Sequence, residues 1–209
     1  EPVAVLINNA GYSARGSVED VPLDQVRRVF EVNLFALLQI TRACLPAMRA
    51  RRRGLIVNLS SVVGKFTYPL GGIYAATKYA VEAVTDALRL ELGPLGIKVI
   101  AIRPGTIGTE FNDTAMQVAG DYSAQAHEEY KKEAQAIGDS LGAIFKDLTI
   151  PGPELIADLI IDAVMAEAPK AAYAAGPFSN DWLAKRFTLD DDSFNDFISA
   201  KLGLKDLKL

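Results

Sequence analysis

Three short apolar runs in the first half of the chain, each followed at once by small or polar residues, constrain the fold more than any other feature. The runs are residues 3–7 (VAVLI), 55–59 (LIVNL) and 98–103 (KVIAIR). Short apolar runs without polar alternation are typical of strands that are buried on both faces of a parallel sheet. Because parallel strands need long crossover connections, usually helices, the runs predict an α/β fold.

The segments around these runs complete the pattern. Apolar residues in the first connection recur three or four positions apart, with Pro46 as a candidate break and a basic run before Gly54 as the predicted end. The alternation of strands and helices predicts a doubly wound sheet in one domain, residues 1–209. The predicted elements are helices over residues 23–53, 74–92 and 154–167, a last strand over residues 170–175 and a helical tail from residue 180.

Residues 109–150 interrupt this alternation. The segment is polar and has helical stretches but no strand pattern. We therefore predict an insertion within the domain that serves as a substrate loop or lid.

The first apolar run has no predicted neighbour on one side of the sheet. If residues 3–7 formed the outermost strand, the sheet would end in an uncovered hydrophobic edge, which promotes aggregation. In addition, the 16 glycines include no Gly-x-Gly-x-x-Gly or P-loop pattern. Both observations are explained if roughly 80 residues, two or three strand-helix units of about 30 residues each, precede Glu1. We therefore expect an N-terminally truncated fold.

Composition excludes several classes of protein. The 22 basic and 26 acidic residues leave a net charge of −4, the wrong sign for general nucleic-acid binding. One histidine, His127, and one cysteine, Cys44, are too few for a Cys/His zinc site or a disulfide framework. There is no basic leader and no run of about 18 apolar residues. We expect a cytoplasmic protein without a metal, nucleic-acid or membrane partner.

The sharpest chemical signal is the pair Tyr74 and Lys78. Residues four apart share one face of a helix, so the phenol and the ammonium are neighbours. A cation about 4 Å away favours the phenolate by up to ~4 kcal/mol at an effective dielectric near 20, before desolvation is subtracted. Such pairs are also common on exposed helix faces, so the spacing alone does not establish a site.

Other polar residues stand near the ends of the apolar runs, where doubly wound sheets place their sites. Ser61 stands just past the end of the second run. Asn33 interrupts an apolar helix, where an unpartnered buried amide costs about 1 to 3 kcal/mol. The turns after the first and third runs offer backbone amides and close approach to a ligand. Their candidate residues are Asn8, Asn9, Ala10, Gly11, Pro104, Gly105, Ile107 and Thr109.

In this order and spacing, the motifs resemble those of the short-chain dehydrogenase/reductase family. The matching motifs are Asn8-Asn9-Ala10-Gly11, Asn33, Asn58-Leu59-Ser60-Ser61, Tyr74-x-x-x-Lys78 and Pro104-Gly105-x-x-x-Thr109. They span about residues 3–110, and residues 12–53 most resemble the hydroxysteroid-dehydrogenase-like branch. The family's N-terminal Thr-Gly-x-x-x-Gly-x-Gly cofactor loop has no counterpart in this sequence. The resemblance implies a Rossmann-like doubly wound sheet.

The resemblance also implies a role for each candidate. Tyr74 is expected to be the catalytic acid/base, Lys78 to lower its pKa and hold the nicotinamide ribose, and Ser61 to hydrogen-bond the substrate oxygen. Asn33 is expected to anchor a water that links Lys78 to solvent. The expected cofactor NAD(P)(H) would contact Asn8, Asn9, Ala10 and Gly11 on its adenosine side, and Pro104, Gly105, Ile107 and Thr109 near the nicotinamide carboxamide and phosphates.

The leading hypothesis is therefore an NAD(P)-dependent oxidoreductase for a secondary alcohol or ketone. Two alternatives stay open: a non-catalytic or defective family member that acts as a binding or structural protein, and a sugar-nucleotide epimerase or dehydratase that uses the same Tyr-Lys pair. The segment that distinguishes NAD from NADP is absent from the sequence. Apolar loop residues favour a hydrophobic, lipid- or steroid-like substrate. They are Tyr12, Phe66, Tyr68, Leu70, Phe111 and Met116.

The two crossover helices predict self-association. They carry more apolar and small residues than one buried face requires, such as Ala75, Ala76, Ala80, Ala83 and Ala87. By resemblance, these helices form the family's dimer interface. We expect a homodimer or homotetramer.

Overall fold

Four parallel strands form one sheet in the computed structural model, which describes residues 2–111, 122, 127–146 and 148–205. Val5 lies opposite Leu55, Gly54 opposite Ile97, and Ala101 opposite Ala172. The prediction of a Rossmann-like α/β fold with a parallel sheet is confirmed. In the order of the sheet, the strands are β1 (Val5–Asn8), β2 (Gly54–Leu59), β3 (Ile97–Pro104) and β4 (Ala172–Ala175).

The helices occupy the connections that the apolar spacing predicts. Within the described ranges they are α1 (Leu23–Phe30), α2 (Ala36–Arg51), α3 (Gly72–Leu92), α4 (Glu128–Lys146), α5 (Glu154–Met165), α6 (Trp182–Thr188) and α7 (Asp191–Lys201). A π-helical turn, Glu31–Phe35, joins α1 to α2, and short 3₁₀ turns follow β2 and α3.

The predicted break at Pro46 is wrong, because Pro46 lies inside α2. Pro46 and Arg42, whose carbonyl loses its usual helical partner, are both exposed, so water can hydrogen-bond to that carbonyl. The helix ends instead at Arg52, which adopts the left-handed conformation with φ of 49°. Gly54 opens β2, where a Cβ atom would lie 2.6 Å from the Met48 sulfur. The absence of a side chain at Gly54 therefore permits α2 to pack closely on β2. Gly54 does not end the helix.

The two faces of the sheet are covered by different connections. On one face, Ile56 and Val99 pack with Met48 of α2 and with residues of α3. On the other face, Val57 and Ile100 pack with Ala163 of α5. Each strand lies next to the one before it, and the order always advances in the same direction across the sheet. The first two connections pack on one face and the third packs on the other. The third crossover therefore has the opposite hand to the first two. Both hands therefore occur in one sheet, although about 98% of such crossovers are right-handed.

The first strand departs from its prediction of burial on both faces. Leu6 packs beside the half-buried Cys44 on the α2 face. Val5 and Ile7 point to the other face and are 37% and 45% exposed. Helix α5 covers the neighbouring strands on that face, with β1 outside its packing cluster.

The continuous helix Leu23–Arg51 is long and apolar enough to cross a membrane by length and composition alone. In this fold it is a crossover helix, and its Leu37 and Met48 are buried. Its outward face carries Phe35 and Ile40, which are nearly half exposed.

The C-terminal helices form a separate apolar cluster around the segment that follows β2. The Phe66 ring lies 5.9 Å, between ring centroids, both from Trp182 of α6 and from Phe194 of α7. Ile137 of α4 is also buried in this cluster. These helices therefore stand over the carboxyl end of β2.

Candidate active site

The carboxyl ends of the strands open into a cavity of about 910 Å³. Polar residues of the strand ends and of α3 form one wall, and apolar residues of α4 to α7 form the opposite wall. Of the predicted catalytic residues, Ser61, Tyr74 and Lys78 line this cavity. Of the predicted cofactor-binding residues, Asn9, Gly11, Pro104, Gly105, Ile107 and Thr109 also line it.

Tyr74 and Lys78 stand one turn apart on α3, as predicted. The Lys78 Nζ atom lies 5.7 Å from the centroid of the Tyr74 ring. Lys78 is only 5% exposed, and its Nζ donates a 2.7 Å hydrogen bond to the Leu59 carbonyl at the end of β2. The ammonium is therefore anchored to the strand behind the phenol.

The pKa of Tyr74 does not have the expected direction. Burial and the neighbouring Tyr68 phenol raise the pKa of Tyr74, whereas a hydrogen bond with Ser61 lowers it. Burial also lowers the pKa of Lys78 to about 8, although the carboxylate of Glu82 acts to raise it. The net shift of the Tyr74 pKa is upward because desolvation is its largest cause, and the expected lowering by Lys78 stays a prediction. At neutral pH the phenol holds its proton and Lys78 is mostly charged.

Ser61 occupies the sharp exit from β2. Its Oγ accepts a 3.3 Å hydrogen bond from the backbone N–H of Val63, which caps the following 3₁₀ turn. The same hydroxyl donates to the Pro104 carbonyl at 3.3 Å. This second bond is long for an O–H donor, so an oxygen placed between Ser61 and Tyr74 can replace it.

Asn33 lies behind the cavity wall, at the centre of the π-helical turn. Its side-chain amide exchanges hydrogen bonds with the backbone of Tyr12, at 3.0 and 2.9 Å, and donates to Thr77 Oγ at 3.0 Å. Thr77 in turn donates to the Tyr74 carbonyl at 2.7 Å. These contacts supply the hydrogen-bond partners that a buried amide requires. They also connect the loop after β1 to α3. Its expected water-anchoring role stays a prediction.

Gly11 explains how the loop after β1 approaches the lysine. A Cβ atom at Gly11 would lie 3.1 Å from Asn33 Oδ1 and 3.6 Å from Lys78 Nζ. A side chain at this position would therefore crowd Asn33 and contact the Lys78 ammonium.

Asn8 and Ala10, both predicted to bind cofactor, lie outside the cavity lining. Asn8 is buried, and its amide donates to Thr41 Oγ at 3.1 Å and to Asn58 Oδ1 at 2.8 Å. Asn58 continues the chain of bonds to Thr85 on α3. The Asn8 side chain therefore connects β1, β2 and α2 inside the fold, and its cofactor contact stays a prediction.

Glu82 and Arg103 are polar residues near the site that the sequence patterns did not single out. The Arg103 guanidinium makes a bidentate pair with the Glu82 carboxylate, at 2.8 and 2.7 Å, and Lys65 adds a contact of 3.1 Å. The pKa of Glu82 is raised by burial but lowered more by Arg103, Ser60 and Lys65. Two signals were available: Glu82 lies four residues after Lys78, and Arg103 is the last residue of the third apolar run.

The apolar wall contains most, but not all, of the predicted substrate-side residues. Phe66, Tyr68, Leu70 and Phe111 line the cavity, whereas Tyr12 is buried outside its lining. Met116 lies outside the described residues. The wall also includes residues from the C-terminal half that were not predicted, namely Ile137, Leu141, Phe145, Phe178, Trp182 and Leu202.

The described part of the predicted insertion is joined to the loop after β1. His127 Nδ1 lies 2.7 Å from Asp20 Oδ1, and the Tyr130 hydroxyl donates to Glu19 at 2.9 Å. The His127 side chain is exposed and is paired with Asp20. The remainder of the insertion, residues 112–121, 123–126 and 147, lies outside the described residues.

Comparisons with known proteins agree with this architecture. The family model for short chain dehydrogenases matches residues 1–120. An uncharacterized oxidoreductase of Schizosaccharomyces pombe is 35% identical over 202 residues, which cover 97% of this chain and 82% of that protein. The NADPH-dependent 3-dehydrocapnine reductase of Ornithobacterium rhinotracheale is 31% identical over 99% of this chain and 71% of its own length.

A solved structure is similar over nearly the whole chain. The short-chain dehydrogenase of Streptomyces avermitilis superposes with a TM-score of 0.76 and 28% identity, over 97% of this chain and 71% of its own. The family match covers more than half of the chain and includes the strand ends, Ser61, Tyr74 and Lys78. This chain therefore belongs to the short-chain dehydrogenase family.

Proposed function

We propose that the protein is a nicotinamide-dependent oxidoreductase that interconverts a secondary alcohol and the corresponding ketone. One observation carries the proposal: Ser61, Tyr74 and Lys78 line a single cavity at the carboxyl ends of the strands. Family membership and the similarity to proteins named as oxidoreductases support the same reaction class.

The residues present fit a nicotinamide cofactor on the sheet side of the cavity. Gly11 places no side chain in the space beside Lys78. Asn9 and Thr109 contribute polar groups to the cavity lining. When bound, the cofactor supplies or accepts the hydride. A similar protein is named as NADPH-dependent, and the choice between NAD and NADP in this chain stays open.

The protein's own residues handle the proton. Because the pKa of Tyr74 is raised by burial, its phenol holds a proton at neutral pH and can donate it to a substrate oxygen. Ser61 provides a second hydroxyl donor for the same oxygen, and such donors stabilise charge as it develops. Lys78, fixed on the Leu59 carbonyl, supplies a positive charge behind the phenol that favours proton release.

The apolar wall supports a hydrophobic carbonyl substrate. Phe66, Phe178 and Trp182 border the cavity, and the Phe178 and Trp182 rings lie 4.6 Å apart between centroids. Binding sites lined mainly by aromatic and aliphatic side chains bury apolar ligands and fix them through few polar groups. Lipid-like or alicyclic ketones are therefore the preferred candidates.

The test is an assay of nicotinamide absorbance with a panel of apolar ketones and secondary alcohols, on the full-length protein. Tyr74→Phe should lower turnover by about 10²- to 10⁴-fold, the usual contribution of a general acid, with unchanged circular dichroism and cofactor affinity. Tyr79→Phe is the matched control, because Tyr79 lies on the same helix and is 42% exposed. Wild-type turnover by Tyr74→Phe would show that another group transfers the proton.

A further inference from the structure

A buried ion pair lies directly behind the proton-transfer residues, and the proposed function does not use it. The Glu82 side chain is 3% exposed and that of Arg103 is 14% exposed. Removing two charges from water is unfavourable unless their geometry is excellent. The bidentate contacts of 2.8 and 2.7 Å meet that condition.

The pair connects the two elements whose relative position defines the site. Glu82 follows Lys78 by one helical turn on α3, so both side chains lie on one face. Arg103 immediately precedes Pro104, whose carbonyl accepts the hydrogen bond of Ser61. Rotation or sliding of α3 against β3 would therefore have to break the ion pair and would displace Tyr74 from Ser61.

Close packing around the pair leaves little freedom for this contact. A Cβ atom at Gly64 would lie 2.6 Å from Ser60 Oγ and 3.0 Å from Glu82 Cγ. The loop after β2 therefore runs directly against the Glu82 side chain. Lys65, from the same loop, contacts Glu82 at 3.1 Å, so three elements meet at one carboxylate.

We propose that Glu82, through its pair with Arg103, is a positioning residue for the proton-transfer site: it fixes α3 against the end of β3 and supplies the negative charge behind Lys78. The proposal rests on the proposed function for its kinetic consequences. Its effect on Lys78, however, is measurable without substrate or cofactor.

The charges around Lys78 set the expected direction of that effect. On its own helix Lys78 faces the neutral Tyr74 phenol and the Glu82 carboxylate, which raises its pKa. Lys65, after β2, and Arg103, on β3, are the cations paired with Glu82. Neutralising Glu82 removes its attraction for the Lys78 ammonium. It also leaves the positive charges of Lys65 and Arg103 without their carboxylate partner. Both effects disfavour the charged form of Lys78. Neutralising Arg103 as well relieves part of this effect.

The test measures the pKa of Lys78 by NMR in the full-length protein without cofactor, with the signal assigned through Lys78→Met. Glu82→Gln should lower this pKa by about two pH units, the size expected for a charge about 6 Å away, one helical turn, at an effective dielectric near 20. The double variant Glu82→Gln/Arg103→Gln should show a smaller decrease. Glu91→Gln, an exposed carboxylate on the same helix, should leave the value unchanged.

The kinetic arm tests positioning. In Glu82→Gln, kcat should fall at least about tenfold and the alkaline limb of its pH profile should move to lower pH, with KM for the ketone little changed. Glu82→Asp, which keeps the charge, should restore the alkaline limb but not the full kcat. A purely structural role would lower thermal stability and leave the pH profile in place.

Three results would overturn the proposal. One is a Lys78 pKa in Glu82→Gln equal to that in Glu91→Gln. Another is an unchanged kcat in Glu82→Gln when the wild-type protein is active. The third is loss of folding in both Glu82→Gln and the double variant, since removal of both charges should be tolerated if the pair only positions the site. An inactive wild-type protein with the expected Lys78 shift would instead contradict the proposed function.

Discussion

At the scale of single residues, Asn8 and Asn9 show how adjacent members of one motif serve different purposes. Asn8 is buried and donates to Thr41 and Asn58, whereas Asn9 is exposed and lines the cavity. The two amides are equivalent in the sequence. Only the strand's pleat, which turns successive side chains to opposite sides, separates them.

Asn8→Ala should therefore destabilise the fold without affecting cofactor binding. It leaves the Asn58 carbonyl oxygen without its donor, a loss of about 1 to 3 kcal/mol in the free energy of unfolding, measurable by urea denaturation. Asn9→Ala is the matched substitution and should preserve stability while weakening cofactor affinity. Weaker cofactor binding with unchanged stability in Asn8→Ala would support the cofactor contact that the motif implies.

The candidate catalytic residues were the easiest part of the site to predict, and the pKa shifts of their side chains were the hardest. The spacing of Tyr74 and Lys78 places them on one helical face, and the strand end exposes Ser61. The direction of the Tyr74 pKa depends on desolvation, and Tyr74 packs against an apolar cluster whose C-terminal members are distant in sequence. A local pattern cannot supply that desolvation.

At the scale of elements, the long first crossover helix was predicted correctly in extent but not in its irregularity. Pro46 is the visible signal, yet the regular α-helix gives way at the π-helical turn around Asn33. Single-turn π segments occur frequently at functional sites. In this helix the π-helical turn contains Asn33, whose side chain is hydrogen-bonded to Tyr12 and Thr77. Helix propensities do not predict such contacts.

Helix α4 should be attached to the loop after β1 in a pH-dependent manner. The Asp20 carboxylate raises the pKa of His127 above its ordinary value near 6.5. The stabilising contact is therefore complete below that value and is lost as the pH rises through the raised pKa. Protection of the first α4 amides from hydrogen exchange should fall over this interval.

The control for this prediction is the neighbouring bond from Tyr130 to Glu19. Tyr130→Phe should reduce protection by a similar amount on both sides of the transition, because the lost bond does not titrate there. His127→Gln should abolish the pH dependence. A pH dependence that persists in His127→Gln would assign it to another group, since the chain has one histidine.

At the scale of the whole molecule, we propose that the outward faces of α2 and α3 form the interface of a homodimer or homotetramer. Phe35 and Ile40 are nearly half exposed on the first crossover helix, and Tyr79 is 42% exposed on α3. Apolar side chains that remain exposed on adjacent helices commonly mark an interface between chains.

Ala83→Arg on the exposed side of α3 should shift the protein toward monomers, because it places a charge in that interface. Light scattering at micromolar concentration measures the change. Ala184→Arg, at an exposed position of α6, is the matched control and should leave the mass of the wild-type assembly unchanged. A wild-type monomer under these conditions would contradict the proposed interface.

The parallel sheet and its crossovers were predictable because each strand and helix carries its own periodic signal. The change of hand between β3 and β4 was not predictable in this way, and the sequence indicated an uncovered edge at β1 but not which of its side chains are exposed. Both depend on where α5 packs, and the apolar spacing of α5 specifies that it has a buried face but not which face of the sheet it covers.

The order of the cavity walls along the chain has a consequence during synthesis. Ser61, Tyr74, Lys78 and Pro104 all precede the opposing wall, which runs from Ile137 to Leu202. At translation rates of about 5 to 20 residues per second, the ribosome needs roughly 5 to 20 seconds to complete the intervening chain. Throughout that interval Phe66 and Leu70 lack their apolar cover, so the nascent protein is exposed to aggregation and to chaperones until the residues of this wall emerge.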